Sequence, residues 1–453
     1  MRAIFIVLVL FIYACSKQGV ITSTDAALFT STDSLHFDTV FTTQGSVTGR
    51  FKIFNPNTQA LVLSNVQLAG GNASSFSINV NGFNGPTVQN ISIAAGDSAY
   101  VFAVVRINPN SANTPFLVQD SIRIQWNGNT KWVQLSAYGQ NARFLQNIRV
   151  TTDTAWTNSL PIVVLGGVRV NNGATLTIQP GTRVFTHATA PFLVDGTVRS
   201  MGTAAAPIVF RGLRIDEPYN SFPASWPGLV FTAASSNNIL QYTKVLNAYQ
   251  AVVAGAQAGT SPKLTMLQCE VNNAFDAGVW AINSRVNAVN CLLVNSGKNL
   301  VIQGGVYSFT HCTVAALPSP YFVRTNATAS ITNLVNNVPV PTQANFTNCI
   351  VFGQGSIIEN ELQVGGTAAA NFQVSLINCL YRVKDDPPFT TVVNSLKNQL
   401  PLFDSLPPTQ PRVFTLQAGS AAVNRGVNAG VSVDVLGNQR PVGLPDLGCY
   451  ERQ

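Results

Sequence analysis

The sequence predicts an all-β protein in two parts, a β-sandwich followed by a parallel β-solenoid. Two patterns carry this. Through roughly the first third of the chain, short runs of alternating polar and apolar residues are separated by Asn, Gly and Pro turns. Beyond it, cysteines recur at positions 269, 291, 312, 349 and 379, at intervals of 22, 21, 37 and 30, each within a similar apolar phrase. The composition agrees: with 453 residues, 46% hydrophobic and only 10% charged, the chain falls outside the disordered, collagenous and coiled-coil classes and can fill two cores.

The elements follow in chain order. Arg2 precedes an apolar run from Ala3 to Ala14 that is too short to span a bilayer and stops at Cys15. This reads as a signal peptide over residues 1–14. The segment Ile12-Tyr13-Ala14-Cys15 resembles the lipobox of bacterial lipoproteins, which implies cleavage before Cys15 and acylation of that residue. Residues 15–24 then form a polar tether. In lipoproteins of Bacteroidetes-like bacteria, acids just after the cysteine resemble a surface-export signal. Ser16-Lys17-Gln18-Gly19 has none, so the expected location is the bacterial envelope, at the outer membrane, with the facing side open.

Residues 25–143 hold strand-like runs such as Arg50-Phe51-Lys52-Ile53-Phe54 and Ser121-Ile122-Arg123-Ile124, with turns at Asn55-Pro56-Asn57 and Asn127-Gly128-Asn129. Their order resembles the immunoglobulin-like modules of bacterial envelope proteins. That resemblance brings no catalytic residues; the expected role is a spacer, with partner binding through the loops as the alternative.

Residues 144–453 carry the repeat. The phrases are Leu267-Gln268-Cys269-Glu270-Val271, Val289-Asn290-Cys291-Leu292-Leu293, Thr310-His311-Cys312-Thr313-Val314, Thr347-Asn348-Cys349-Ile350-Val351 and Ile377-Asn378-Cys379-Leu380-Tyr381, with Leu240-Gln241-Tyr242 as an earlier copy. A period near 22 is one coil of a solenoid, each coil adding one rung to parallel sheets about 4.8 Å apart, so about ten coils give a rod near 50 Å. The cysteines take one inward position and are expected as buried free thiols, with rung-to-rung disulfides the alternative in an oxidising compartment. The residues before them, Gln241, Gln268, Asn290, His311, Asn348 and Asn378, are expected to form a ladder with rung-to-rung amide bonds. Leu317 to Val340 reads as the plainest insertion.

The phrases from Val168 through Leu176-Thr177-Ile178, Pro180-Gly181 and Leu193-Val194-Asp195-Gly196 to Pro207-Ile208-Val209-Phe210, then Trp226-Pro227-Gly228-Leu229-Val230-Phe231, resemble the first coils of right-handed parallel β-helix, pectin-lyase-like proteins. At the other end, Phe414 to Asn424, Asp434 with Gly437 and Arg440, and Asp446-Leu447-Gly448-Cys449-Tyr450-Glu451 resemble a terminal pattern of many secreted members. That segment, from about 400 to 453, is expected to cap the last coils, with Asp434, Arg440, Asp446 and Glu451 as its clasp.

The fold hosts polysaccharide lyases and hydrolases, so catalysis is weighed on residues. Lys and Arg number 26 against 19 Asp and Glu, a formal charge of +7, but they are scattered; nucleic acid is excluded as a partner. With 3 His and no short Cys spacing, neither metal nor other cofactor is expected, calcium entering only with a lyase. The best acid–base grouping is Glu270, Asp276 and Arg285, with Lys298 nearby. Glu359 and Glu361 read as solvated edge charges, with an acid pair as the alternative, and Asp385-Asp386 as plain loop charges, with a cation site as the alternative. Asp followed by Ser or Thr and an apolar residue, at Ser34, Thr39, Ser98, Ser121, Thr154 and Ser405, resembles an O-glycosylation site of Bacteroidetes-like envelope proteins. Trp280, Tyr307 and Tyr321 are candidate sugar platforms, with core or loop packing as the alternative. The expected protein is thus a lipid-anchored, non-catalytic binding or scaffold surface for polysaccharide or envelope proteins. The alternatives are a lyase or glycosidase working in a lateral groove, and an adhesin.

Overall fold

The computed structural model describes residues 19–257, 259–354, 357–404 and 414–453. Cys15, the signal peptide and Ser405 therefore lie outside the described residues. The chain divides into two compact units between Ala142 and Arg143. Among the described residues there is no α-helix, only two single turns of 3-10 helix at Gly71–Ala73 and Tyr219–Ser221.

The first unit is a sandwich of two five-stranded sheets. One runs in the order Phe29–Thr30, Gly49–Phe54, Ser98–Val105, Phe76–Val80, Phe83–Asn84; the other Ser34–Phe41, Asn129–Gln140, Phe116–Trp126, Leu61–Leu68, Thr87–Ile93. Pairing is antiparallel except between Ser34–Phe41 and Asn129–Gln140. Period-2 alternation sets the core: Leu61, Leu63, Val66 and Leu68, beside Ile122 and Ile124 of the same sheet, pack with Val101 and Phe51 of the other in one buried cluster. Asn55 serves the turn the sequence marks, its Nδ2 donating to Gln59 O, Ile93 O and Ala94 O at 2.8–3.0 Å.

The second unit is a parallel β-helix with three faces. The first face stacks Ile148–Val150, Val168–Val170, Phe192–Val194, Leu229–Phe231, Gln250–Ala254, the opening halves of the long strands Ala277–Val289 and Lys298–Thr310, then Ala329–Thr332 and Leu362–Val364. The second face includes Thr175–Ile178, Thr197–Met201, Asn238–Gln241, Leu264–Leu267, the closing halves of those long strands, Thr342–Thr347 and Phe372–Ile377. The third face is an 11-stranded sheet from Arg143–Leu145 to Leu396–Lys397. At about 4.8 Å per rung it spans roughly 48 Å.

Inward residues form one continuous core. Trp156, Phe192, Phe210 and Trp226 pack ring on ring at centroid distances of 5.8–6.3 Å. Trp226 is held by its Nε1–H to Leu246 O at 2.9 Å, and Gly228, at φ +112°, lets the chain pass Gln250 O, which a Cβ would meet at 1.7 Å. Cys269, Cys291, Cys312, Cys349 and Cys379 are buried free thiols in this core, and each Sγ–H reaches a carbonyl of the rung before, as Cys291 does Met266 O at 3.5 Å.

The earlier copy of the phrase is displaced by one residue from the expected register. Lys244 pairs with Glu270 and Val245 with Val271, so Thr243 occupies the cysteine position and Tyr242 the position before it. That position is a left-handed corner: Tyr242, Gln268, Asn290, His311, Asn348 and Asn378 have φ between 41° and 56°.

The terminal segment is a strap along the third face, and this corrects its expected place over the end of the rod. Phe414, Val435 and Cys449 cover Leu292, Val294 and Ala315; Leu416, Ala422 and Leu447 cover Ile350, Phe352 and Leu380. The side chains of the left-handed corner bond mainly to this strap and not to one another. Asn290 Nδ2 donates to Val433 O, Asn348 Nδ2 to Val427 O and Asn378 Nδ2 to Arg425 O, at 2.6–3.1 Å. The exception is Asn348 Nδ2, which also reaches His311 Nε2 at 2.9 Å. The clasp itself is present: Arg440 and Glu451 are fully buried and paired at 2.8 Å.

Candidate functional site

The outer surface of the first face carries a lateral cleft of about 570 Å³. Parallel stacking explains its chemistry, because outward side chains at one register position form a column with one member per rung. Trp280, Val301, Ser330 and Gln363 are successive members of one column, and Gln303 and Thr332 of the next. Trp280 is oriented by its Nε1–H to Gln303 Oε1 at 2.9 Å, and Lys298 Nζ lies 5.9 Å from its ring centre.

Lys298, which lines the cleft, belongs to an ion pair. Lys298 Nζ is 3.0 Å from Asp276 Oδ1, while Gln250 Nε2 donates to Asp276 Oδ2 at 2.7 Å. Burial pushes the Asp276 carboxyl up, but these two donors outweigh it and hold the group below its ordinary range. A carboxylate so held binds and orients; a proton for a leaving group would need the opposite shift.

The residues grouped in the sequence do not converge. Glu270 sits on the third face, paired with Lys244 at 2.9 Å and bonded by Asn272 Nδ2. Asp276 lies at the corner leading to the first face. Arg285 lies past the first face, in the long strand, its Nε donating to Gly259 O at 3.0 Å. Three successive stretches of one coil point three ways. Tyr307 is corrected outright as a sugar platform: it is buried beside Val286 and Ala344, its hydroxyl accepting the Ser284 N–H at 3.1 Å. Glu361 is likewise no edge charge. It is fully buried in a two-pronged pair with Arg324 at 2.6 and 2.7 Å, whereas Glu359 is exposed with Lys384. Asp386 pairs with Lys397. Among the described residues no group of three or more His, Cys, Asp or Glu could hold a metal.

Sequence reasoning missed a second asparagine ladder, at the corner between the third and first faces. Asn247, Asn273 and Asn295 are all left-handed, and here the amides do link rungs, Asn273 Nδ2 donating to Asn247 Oδ1 at 2.8 Å. The usable signal was the Asn just after each of three consecutive third-face strands, Thr243–Leu246, Glu270–Asn272 and Leu292–Val294.

Comparison with known proteins adds little. No family model and no curated protein matches the chain. Among solved structures, a family 123 glycoside hydrolase from Clostridium perfringens, described for glycolipid glycan hydrolysis, is similar at 11% identity over 25% of this chain and 26% of its own, with a TM-score of 0.18. The chain thus spans about a quarter of that enzyme. A PapD-like domain of human CEP192 is similar at 11% identity over 28% of this chain and 94% of its own, with a TM-score of 0.20.

Proposed function

We propose that this is a bacterial envelope protein, anchored at the outer membrane by a lipid on Cys15, whose β-helix binds polysaccharide along the cleft of its first face. The lipid anchor rests on the lipobox-like segment alone. The glycan reading rests on one observation: an open cleft lined by the Trp280 indole, the aliphatic Val301 beside it and the amides and hydroxyls of Gln303, Gln363, Ser330 and Thr332, with Lys298 at one end. An apolar ring face surrounded by neutral donors and acceptors suits a pyranose chain. Asp276, the acid beside the cleft's Lys298, is committed to that lysine and to Gln250, which favours retention over cleavage.

The test is retention of the purified full chain on immobilised neutral and acidic polysaccharides, with cleavage scored in parallel. Trp280→Ala is expected to weaken retention at least tenfold, the scale of truncating a central aromatic anchor, about 2 kcal/mol. Retention indifferent to this change overturns the reading. Cleavage lost in Asp276→Asn replaces it with an enzyme.

A further inference from the structure

Two inserted loops leave the third face where other coils turn tightly, one between Ile208–Gly212 and Leu229–Phe231, the other between Thr313–Ala316 and Ala329–Thr332. Three tight turns lie between them. The asparagine ladder pins both loops over those turns: Asn247 Nδ2 donates to Asn220 O at 2.7 Å, Asn273 Nδ2 to Ser221 O at 2.8 Å, and Leu317 N–H to Asn295 Oδ1 at 3.2 Å. The buried Arg324–Glu361 pair fixes the second loop from its far side.

The arrangement gathers aromatic rings from four of five successive coils. Tyr219 meets Phe222 at 5.2 Å between centroids, and Phe222 meets Tyr321 from the other loop at 5.5 Å. Tyr249 stacks on Phe275 at 5.9 Å, and Phe275 meets Phe322 at 6.0 Å. Tyr219, Phe222, Tyr249, Phe275 and Tyr321 remain between 37% and 47% exposed. Contiguous exposed aromatics held by a dedicated hydrogen-bond scaffold mark a contact surface. The strip spans four rung spacings, about 19 Å. It approaches one end of the cleft, since Phe275 directly precedes Asp276, the partner of the cleft residue Lys298.

We infer that this aromatic corner is a second subsite for the same glycan, and that the glycan is a neutral β-linked polysaccharide. The inference rests on the reading of the cleft. Ring faces stack on the C–H faces that equatorially substituted pyranoses leave bare, and Tyr249 and Phe275 follow each other at one rung spacing, close to the length of one pyranose. Two cations that border the strip are neutralised: Arg214 is bonded twice to Asp216 at 2.6 Å while lying over Tyr219, and Lys298 is paired with Asp276; a third, Arg211, is turned to the backbone, its Nη2 donating to Asn220 O at 2.6 Å. A uronate chain would find the Arg214 and Lys298 charges already committed to carboxylates.

The experiment compares the wild-type chain with Tyr249→Ala/Phe275→Ala and with Trp280→Ala, using hydroxyethyl cellulose, xylan and curdlan as neutral polymers, polygalacturonate as the acidic one, and trisaccharides of the bound polymer. The expected result is binding of at least one neutral polymer that changes less than twofold between 50 and 500 mM salt. The corner variant should weaken polymer binding at least tenfold yet leave trisaccharide binding in the cleft within twofold, because a short ligand needs one subsite and a long one links both. Trp280→Ala should weaken both ligands; if it weakens neither, the cleft reading itself fails. Polymer binding unchanged in the corner variant overturns the second subsite. So does loss of self-association by that variant, which would make the corner a protein interface. Binding of polygalacturonate alone, with strong salt dependence, overturns the neutral class.

Discussion

Removing the Arg440 guanidinium should release the strap from the third face. Arg440 Nε donates to Glu451 Oε2 at 2.8 Å, Nη1 to Asn290 Oδ1 at 2.7 Å, and Nη2 to Gly448 O and Tyr450 O at 3.0 and 2.7 Å, all without solvent contact. Glu451 in turn accepts the N–H groups of Val442 and Asp446. Arg440→Ala leaves a buried carboxylate without its counter-charge, a change that costs about 3–5 kcal/mol. Summing the four bonds separately would overshoot, because they act as one unit. The effect should be local, since strap and coils meet through side chains and the coil rungs pair with one another. At about 4 kcal/mol the amides of Val435, Leu447, Gly448 and Cys449, each bonded within the strap or to the third face, should exchange with deuterium roughly 1,000-fold faster, as every 1.4 kcal/mol is about tenfold. Core amides should change little. Arg425→Ala, at an exposed side chain in the same strap, is the control, expected within about 0.5 kcal/mol of wild type. Replacing both Arg440 and Glu451 by Met should cost less than the sum of the single changes by more than about 1 kcal/mol. Strap exchange in Arg440→Ala within threefold of wild type refutes the reasoning.

Three further outcomes are expected. His311 is pushed down to about 3 from 6.5, by burial first and by the Arg440 charge second, and its neighbours define the neutral form with the proton on Nδ1, facing Asp446 O, and Nε2 accepting from Asn348. The unfolded chain therefore binds a proton that the folded chain refuses, so this stability is complete above about pH 6.5 and is lost as pH falls toward 3; His311→Asn should flatten that part of the urea-midpoint profile, and an unchanged slope would exclude His311 as its source. Gly228→Ala drives a Cβ to 1.7 Å from Gln250 O at a φ of +112°, which should cost more than about 3 kcal/mol and collapse soluble yield; a normal melting point would show that the chain can move there. Lys263 is fully buried with Nζ donating to Thr232 O at 2.7 Å and also to Ser235 O, so Lys263→Met should leave carbonyls unsatisfied at about 1–3 kcal/mol each and open residues 232–237 to protease, with wild-type resistance counting against it.

What could be read in the sequence was the chemistry that each coil repeats for itself. Cys269, Cys291, Cys312, Cys349 and Cys379 announce one inward position, and they lie there. Where the coil substituted Thr243 for cysteine the marker vanished, and the register slipped by one residue onto Tyr242. The motifs at the C-terminus told which residues of 434–451 hold one another, because those bonds are local; Asp434 and Asp446 both serve backbone amides within it. They could not tell on which surface the strap rests, since that is decided by apolar side chains of distant coils, from Leu292 to Leu380. Yet a trace of it is present. Leu292-Leu293-Val294 and Ile350-Val351-Phe352 are apolar without alternation, and all six are buried; a strand that lacks a polar side is covered on both. The aromatic corner leaves no comparable trace. Residues 219, 222, 249, 275, 321 and 322 share no spacing, and they meet because parallel stacking aligns every third-face exit along one edge of the rod and two insertions fold over it. The asparagines that hold those insertions did leave a signal. An Asn following each of three consecutive strands is a left-handed corner, and a corner that repeats is an edge on which loops can be built without disturbing the coils beneath. In this chain, both the strap and the aromatic platform are fastened to such asparagine edges, so the two surfaces that depart from the plain solenoid can be altered separately from its core.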